Sequence, residues 1–335
     1  MNWLKRHLGT IITTAVLIVG VWHIQDFDDW EKLLTYQAPA QIARLATTTT
    51  MTDVARRLFY VNKPTIESKK LALNLCKSSE HTVVLGCYVV GKGIFLQDVT
   101  DPRLQGVMEV TAAHEMLHVA YQRMSLFDDR QKLNQQLKAA LQQLQNPRIK
   151  QLIETYNEQD SDSVLTELHS ILGTEVRDLS PELEQHYRQY FTDRSVIVAL
   201  SERYESVFTA LRDKAKDLSQ QLKTRKSTME QLVDRVKNES ESIELGHSTL
   251  QRSISVNPQV NYQSEISSLN DRVRSYNQLV TQLREQTDSY NQMVNEHNSL
   301  SLEEKSLVES LQNTSSPTTE NYVTSSTESA TAVTK

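Results

Sequence analysis

Five consecutive residues, His114-Glu115-Met116-Leu117-His118, could place two imidazoles and a carboxylate around one metal ion. On a helix, residues four apart sit one above the other on the same face, so His114 and His118 can offer two nitrogens to a single cation, as Zn²⁺ requires. Glu115 is rotated about 100° from His114, which suits it to reach a metal-bound water rather than the metal. Such a water, its pKa lowered by the ion, needs a base to take its proton as it attacks a carbonyl. The flanks agree with this reading. Val110-Thr111-Ala112-Ala113 before the motif and Val119-Ala120 after it are small or apolar, as a buried helix demands. Burying two histidines and a glutamate with no ion to bind would carry a heavy desolvation cost.

The run Val110–Tyr121 resembles the active-site helix of the zincin metallopeptidases, and the resemblance extends over about Thr52–Tyr190. It implies one zinc ion, Glu115 as catalytic base and a peptide or protein substrate. It also implies that Gly93, Ile94, Phe95 and Leu96, on through Gln97, form an edge strand to which an extended substrate adds by main-chain hydrogen bonds. A catalytic zinc needs a third protein ligand. The metzincin continuation, with a third histidine after a glycine, is absent, since the chain reads His118-Val119-Ala120-Tyr121-Gln122-Arg123. The gluzincin branch takes a glutamate from a later helix, and Thr166-Glu167-Leu168-His169-Ser170 fits it. Glu167 is therefore the expected ligand. Glu175 is the alternative, because Gly173 beside it would let two helices approach closely. The two lie roughly 12 Å apart along a helix axis, so one ion cannot take both. His169 reads as a plain surface histidine, or as a residue orienting a ligand. His186 and Tyr187, with Tyr190, are candidate donors to a developing oxyanion, although each also reads as a packing residue.

The elements that must position these residues give an α+β, mostly helical chain. Residues 29–195 read as a zincin-like domain with a small hairpin or sheet. Thr82–Leu85 and Tyr88–Val90 are β-branched and aromatic, Gly91-Lys92-Gly93 is a turn signal, and Ile94–Leu96 resumes a strand. Helices are expected over Asp29–Leu45, Thr52–Tyr60, Ser68–Cys76, Leu104–Arg123, Asp128–Gln145, Pro147–Tyr156, Ser161–Arg177 and Pro181–Tyr190. From about 200 to 312 the pattern becomes heptad. Phe208, Ala215, Leu222, Met229, Val236, Ile243 and Leu250 recur every seventh residue, with Arg225 and Glu239 breaking a second seam. After a break at Pro258 a new seam runs through Ile266, Val273, Val280, Thr287 and Val294. Two such arms read as a helical coiled-coil hairpin, although a homodimer or another coiled-coil partner would leave the same pattern. The Ser/Thr-rich residues 313–335 read as a disordered tail.

The ends and the charge set the remaining expectations. Lys5, Arg6 and His7 precede an uncharged run from Leu8 to Trp22, and Asp26, Asp28 and Asp29 follow it. Residues 1–28 therefore read as a transmembrane helix, with the N-terminus cytoplasmic and the metal-binding domain extracytoplasmic. A cleaved signal peptide is the competing reading. Outside the cytoplasm, Cys76 and Cys87 are expected to form a disulfide across a strand pair. A net charge of −6 leaves no polyanion-binding footprint, so nucleic acid is not an expected partner. The alternative to a peptidase is a coiled-coil envelope scaffold whose zincin-like domain is non-proteolytic, and a non-proteolytic zinc hydrolase also fits the motif.

Overall fold

The computed structural model describes residues 28–76, 85–124, 128–156 and 161–311. The chain divides into two units, one made of residues up to Val207 together with Glu309–Thr314, the other of Phe208–Val308. The second is thus an insertion in the first. Both are dominated by helices, and one small sheet lies in the first.

In the first unit a helix α1 (28–35) and α2 (Ala40–Thr48) replace the single expected helical neck, because Pro39 lacks the N–H to continue a helix and instead starts α2. Thr52 caps α3 (Asp53–Val61), its side chain accepting from the Ala55 N–H. Then come β1 (Thr65–Glu67), α4 (Lys69–Leu75), β2 (Gly86–Val89), β3 (Gly93–Gln97) and α5 (Val107–Arg123). After them run α6 (Asp128–Gln143), α7 (Pro147–Tyr156), α8 (Ser161–Glu175) and α9 (Pro181–Tyr187). The helix α5 is covered nearly all round, with Val110, Ala112, Ala113, Met116, Leu117, Val119 and Tyr121 buried against α2, α3, α8 and the sheet. A clamp closes this unit. Thr50, at φ 54°, sends its hydroxyl to the Asp193 carbonyl, and Thr52 N–H donates to the Tyr190 carbonyl.

The sheet order is β1-β3-β2, with β1 parallel and β2 antiparallel to β3. The expectation that Gly93, Ile94, Phe95 and Leu96 form an open edge is therefore corrected. Phe95 pairs with both Thr65 and Cys87, and Ile94 and Leu96 are fully buried. A three-residue parallel strand from 28 residues upstream has taken the place assigned to a substrate. The disulfide joins Cys76 to Cys87, linking the end of α4 to β2 rather than bridging two strands.

The second unit is built from α10 (Arg194–Val256) and α11 (Gln263–Leu311), each of which also reaches into the first. The two run antiparallel, burying Leu222, Met229, Leu232 and Val236 of α10 against Leu283, Tyr290 and Val294 of α11. The polar residues that broke the heptad, both on α10, meet polar partners on α11. Arg225 donates to Gln286 Oε1 and Ser289 Oγ, and Glu239 pairs with Arg272 at 3.0 Å. Partly buried polar pairs of this kind favour one register over others.

The expected membrane-spanning placement is corrected as well. Among the described residues no helix is long and apolar enough to cross a membrane. The apolar run over 8–24, like the tail over 313–335, lies outside the described residues.

Candidate metal centre

The motif forms one turn in the middle of α5. Its imidazole planes stand at 80° with centroids 4.6 Å apart. Glu167 reaches them from α8, its two carboxylate oxygens lying 3.3 Å from His114 Nε2 and 3.4 Å from His118 Nε2. One ligand atom from each of the three residues falls within 4.8 Å of the other two. The donor set of two imidazole nitrogens and one carboxylate oxygen is the chemistry zinc prefers in catalytic sites, and the spread matches atoms that could surround one ion at bonding distance. The residues present therefore fit a zinc ion. The three side chains keep 12–20% of their surface accessible, enough to admit a further ligand.

Electrostatics make the cluster a coupled one. Burial alone would push the His114 imidazole down, but the Glu167 carboxylate, helped by Glu115 and Glu175, outweighs it and draws its pKa up to about 9. Burial pushes His118 down to about 4, despite the pull of Glu167. Burial would raise Glu167, yet the two imidazoles hold it below its ordinary value. One proton is thus kept between His114 and Glu167, and an entering cation must displace it.

Several groups hold these side chains in place. Ser170, one turn beyond Glu167 and fully buried, has its hydroxyl 3.3 Å from His118 Nδ1. With Nδ1–H donating to that oxygen, Nε2 is left as the lone-pair nitrogen facing the cluster. Gly173 lets α8 close on α5, since a Cβ there would lie 2.5 Å from Leu117 Cδ1 and 2.7 Å from Tyr187 Cε1. At the C-terminus of α8 the buried Arg194 donates to the carbonyls of Leu172, Val176 and Arg177 and pairs with Glu184. At the C-terminus of α5, Arg123 makes two hydrogen bonds to the buried Asp29 carboxylate, at 2.6 and 3.0 Å.

The other sequence candidates lie elsewhere. Glu175 is outside the cluster, paired with Arg148, which also reaches Glu205 at 3.3 Å. His169 is not a surface residue but is fully buried, its Nε2 2.9 Å from His186 Nε2. Burial pushes both imidazoles down, that of His186 to about 4. Tyr187 donates its hydroxyl to the His169 carbonyl at 2.7 Å and is itself fully buried. His186 and Tyr187, expected as oxyanion donors, are thus the braces that tie α9 to α8, and Tyr190 is buried beside them. Ser170, Arg194 and Arg148 were given no role from the sequence. The only signal for Ser170 was its one-turn spacing from Glu167.

No family model matches the chain, and no curated protein or solved structure matches it either.

Proposed function

We propose that this protein is a zinc-dependent metallopeptidase, and the observation that carries the reading is the convergence of His114, His118 and Glu167 next to Glu115. Zinc held there would polarise a peptide carbonyl and acidify a water. Each residue then has a task. Neutral His114 and His118 present Nε2, Ser170 keeps His118 in that tautomer, and Glu167 supplies the single negative charge. Glu115, on the turn that carries both histidines and only 5% exposed, takes the proton of the attacking water and passes it to the departing amine nitrogen. An extended substrate would add along β2 rather than β3, since among the described residues no strand pairs with the outer edge of β2. Leu85 carbonyl accepts from Gln97 N–H, so by antiparallel alternation the Gly86 and Tyr88 main-chain groups point away from β3. The helix α5 supports that edge, with Gly86 packed against Thr111.

The test is metal analysis of the full chain, together with hydrolysis of a peptide library by the wild type and by Glu115→Gln. The expected result is one zinc per chain in both proteins and cleavage by the wild type alone. Zinc without cleavage of any peptide would overturn the peptidase reading, and absence of bound zinc would overturn the metal site.

A further inference from the structure

The strand β2 packs on α5 as well as on β3, and Gly86 is a point of close approach to both. A Cβ at this position would stand 2.7 Å from Thr111 Cγ2, 3.0 Å from the Phe95 carbonyl oxygen and 3.2 Å from Leu96 Cδ2. None of these neighbours gives way easily. The buried Thr111 hydroxyl donates to the Val107 carbonyl at 2.8 Å, which, with the stiffness of a β-branched side chain, holds the methyl towards the strand. Phe95 is paired on both sides, and Leu96 is fully buried. Two further facts join this contact to the metal centre. Glu115 follows Thr111 by four residues, so it stands one turn further along the same face of α5, with His114 beside it. Gly86, like Tyr88, also aims its N–H and C=O away from β3. The residue that touches the helix is thus one that presents main-chain groups to an added strand.

We propose that Gly86 is a positioning residue: carrying no Cβ, it seats β2 on Thr111 at the height that brings the carbonyl of an extended peptide on β2 to Glu115 and the metal. The assignment rests on the peptidase reading and deepens it, by naming what sets the distance between substrate strand and catalytic helix. Its consequence is selective. Carbon atoms pack at about 3.5–4.0 Å, so a methyl at position 86 lifts β2 off α5 by roughly 1 Å. His114, His118 and Glu167 lie on α5 and α8 and keep their places, whereas a peptide held by Gly86 and Tyr88 moves with the strand. Misplacing the reacting groups by about 1 Å costs on the order of 100-fold in rate.

Steady-state peptide hydrolysis by the full chain tests this, with zinc measured on the same samples and every assay run below the unfolding transition. Gly86→Ala should bind zinc as tightly as the wild type and keep KM within a few-fold, while kcat falls by about 10–100-fold. Inhibition by acetohydroxamate, which reaches the metal without adding to a strand, should be the same in both proteins. Thr111→Ser removes the methyl that the new Cβ would strike and keeps the hydroxyl. In that background the effect of Gly86→Ala should shrink by about 10-fold, and this comparison also serves where Gly86→Ala alone does not fold. A Gly86→Ala protein as active as the wild type, or one whose loss is the same with and without Thr111→Ser, would overturn the proposal and leave the peptidase reading standing. Loss of zinc in step with activity would overturn it too, because the glycine would then serve the metal centre rather than the substrate. A wild type that cleaves no peptide would remove the peptidase reading itself, and the role of Gly86 with it.

Discussion

Replacing Gly173 by alanine should disable the metal centre without touching a ligand. The added Cβ would sit 2.5 Å from Leu117 Cδ1 and 2.7 and 3.1 Å from two carbons of the Tyr187 ring. Carbon atoms pack at about 3.5–4.0 Å, so roughly 1 Å of separation must be found. Leu117 can turn its end aside, but the Tyr187 ring is buried and tethered through its hydroxyl to the His169 carbonyl. Over-packing of this kind costs about 1–3 kcal/mol. With two contacts violated the upper end applies, and about 1 kcal/mol is regained because alanine favours the helix more than glycine. The net is a loss of about 2 kcal/mol, or roughly 4–8 °C in Tm for a domain of this size. The larger effect falls on zinc. Metal–ligand distances tolerate only about ±0.2 Å, so a helix displaced by even part of 1 Å takes Glu167 out of reach of the ion that His114 and His118 hold. A loss of at least 10-fold in zinc affinity is expected, comparable to removal of an outer-shell partner. Competition titration against a fluorescent chelator reads the affinity and calorimetry reads Tm. Adding Leu117→Ala opens one side of the contact, so the double variant should be less destabilised than the two single losses together. A Gly173→Ala protein with unchanged Tm and zinc affinity, or strictly additive effects with Leu117→Ala, would refute the idea that this glycine sets the spacing of α5 and α8.

Three further outcomes are expected. Glu167→Gln should weaken zinc by about 100–1,000-fold, one ligand's share of the roughly 10–16 kcal/mol typical of four-ligand sites, while Glu175→Gln should leave zinc affinity within a few-fold because that carboxylate serves Arg148. Equal losses in the two variants, by the same titration, would contradict the assignment. Ser170→Ala should cost about 10–100-fold in zinc affinity, and Ser170→Thr should recover part of it, because a hydroxyl on His118 Nδ1 is what selects the metal-binding tautomer. The third concerns acid stability. Burial holds His186 at about 4, so the folded protein keeps it neutral while the unfolded chain protonates near 6.5. The unfolded state then binds more protons, and stability should fall as pH drops from about 6.5 towards 4, by on the order of 3 kcal/mol in all. Urea midpoints compared with those of His186→Phe should show a shallower pH slope in the variant, and parallel slopes would count against the argument.

What could be read from the sequence was local. The one-turn spacing of His114 and His118 and the seam from Leu222 to Val236 lie within a few turns of the residues they act on, and both are seen in the structure. What escaped depended on distant pairings. β1 is three residues long and pairs with a strand some 30 residues later, so Thr65-Ile66-Glu67 carries no period to detect, and without it β3 looked like an edge. His169 reads as polar, and only the arrival of α9, with His186 and Tyr187, makes its burial tolerable. The choice between Glu167 and Glu175 turned on Arg148, whose helix gives no sign of its destination until α7 and α8 are packed.

The buried Gln97 side chain, at the end of β3, donates to the Leu311 carbonyl at 3.1 Å, and Lys69 donates to that of Glu309. These acceptors belong to the first unit, yet Phe208–Val308 separates them from the rest of it. During translation His114, His118 and Glu167 all leave the ribosome before them. At about 5–20 residues per second, the intervening hundred or so residues impose a delay of roughly 5–20 s, far longer than the microseconds a helix needs to form. A nascent chain thus has time to bring His114, His118 and Glu167 together while Gln97 still waits for an acceptor. A chain that stops short of residue 309 would lose that hydrogen bond, worth about 0.5–1.5 kcal/mol. Chains truncated before Glu309 are therefore expected to unfold at lower urea than the full chain.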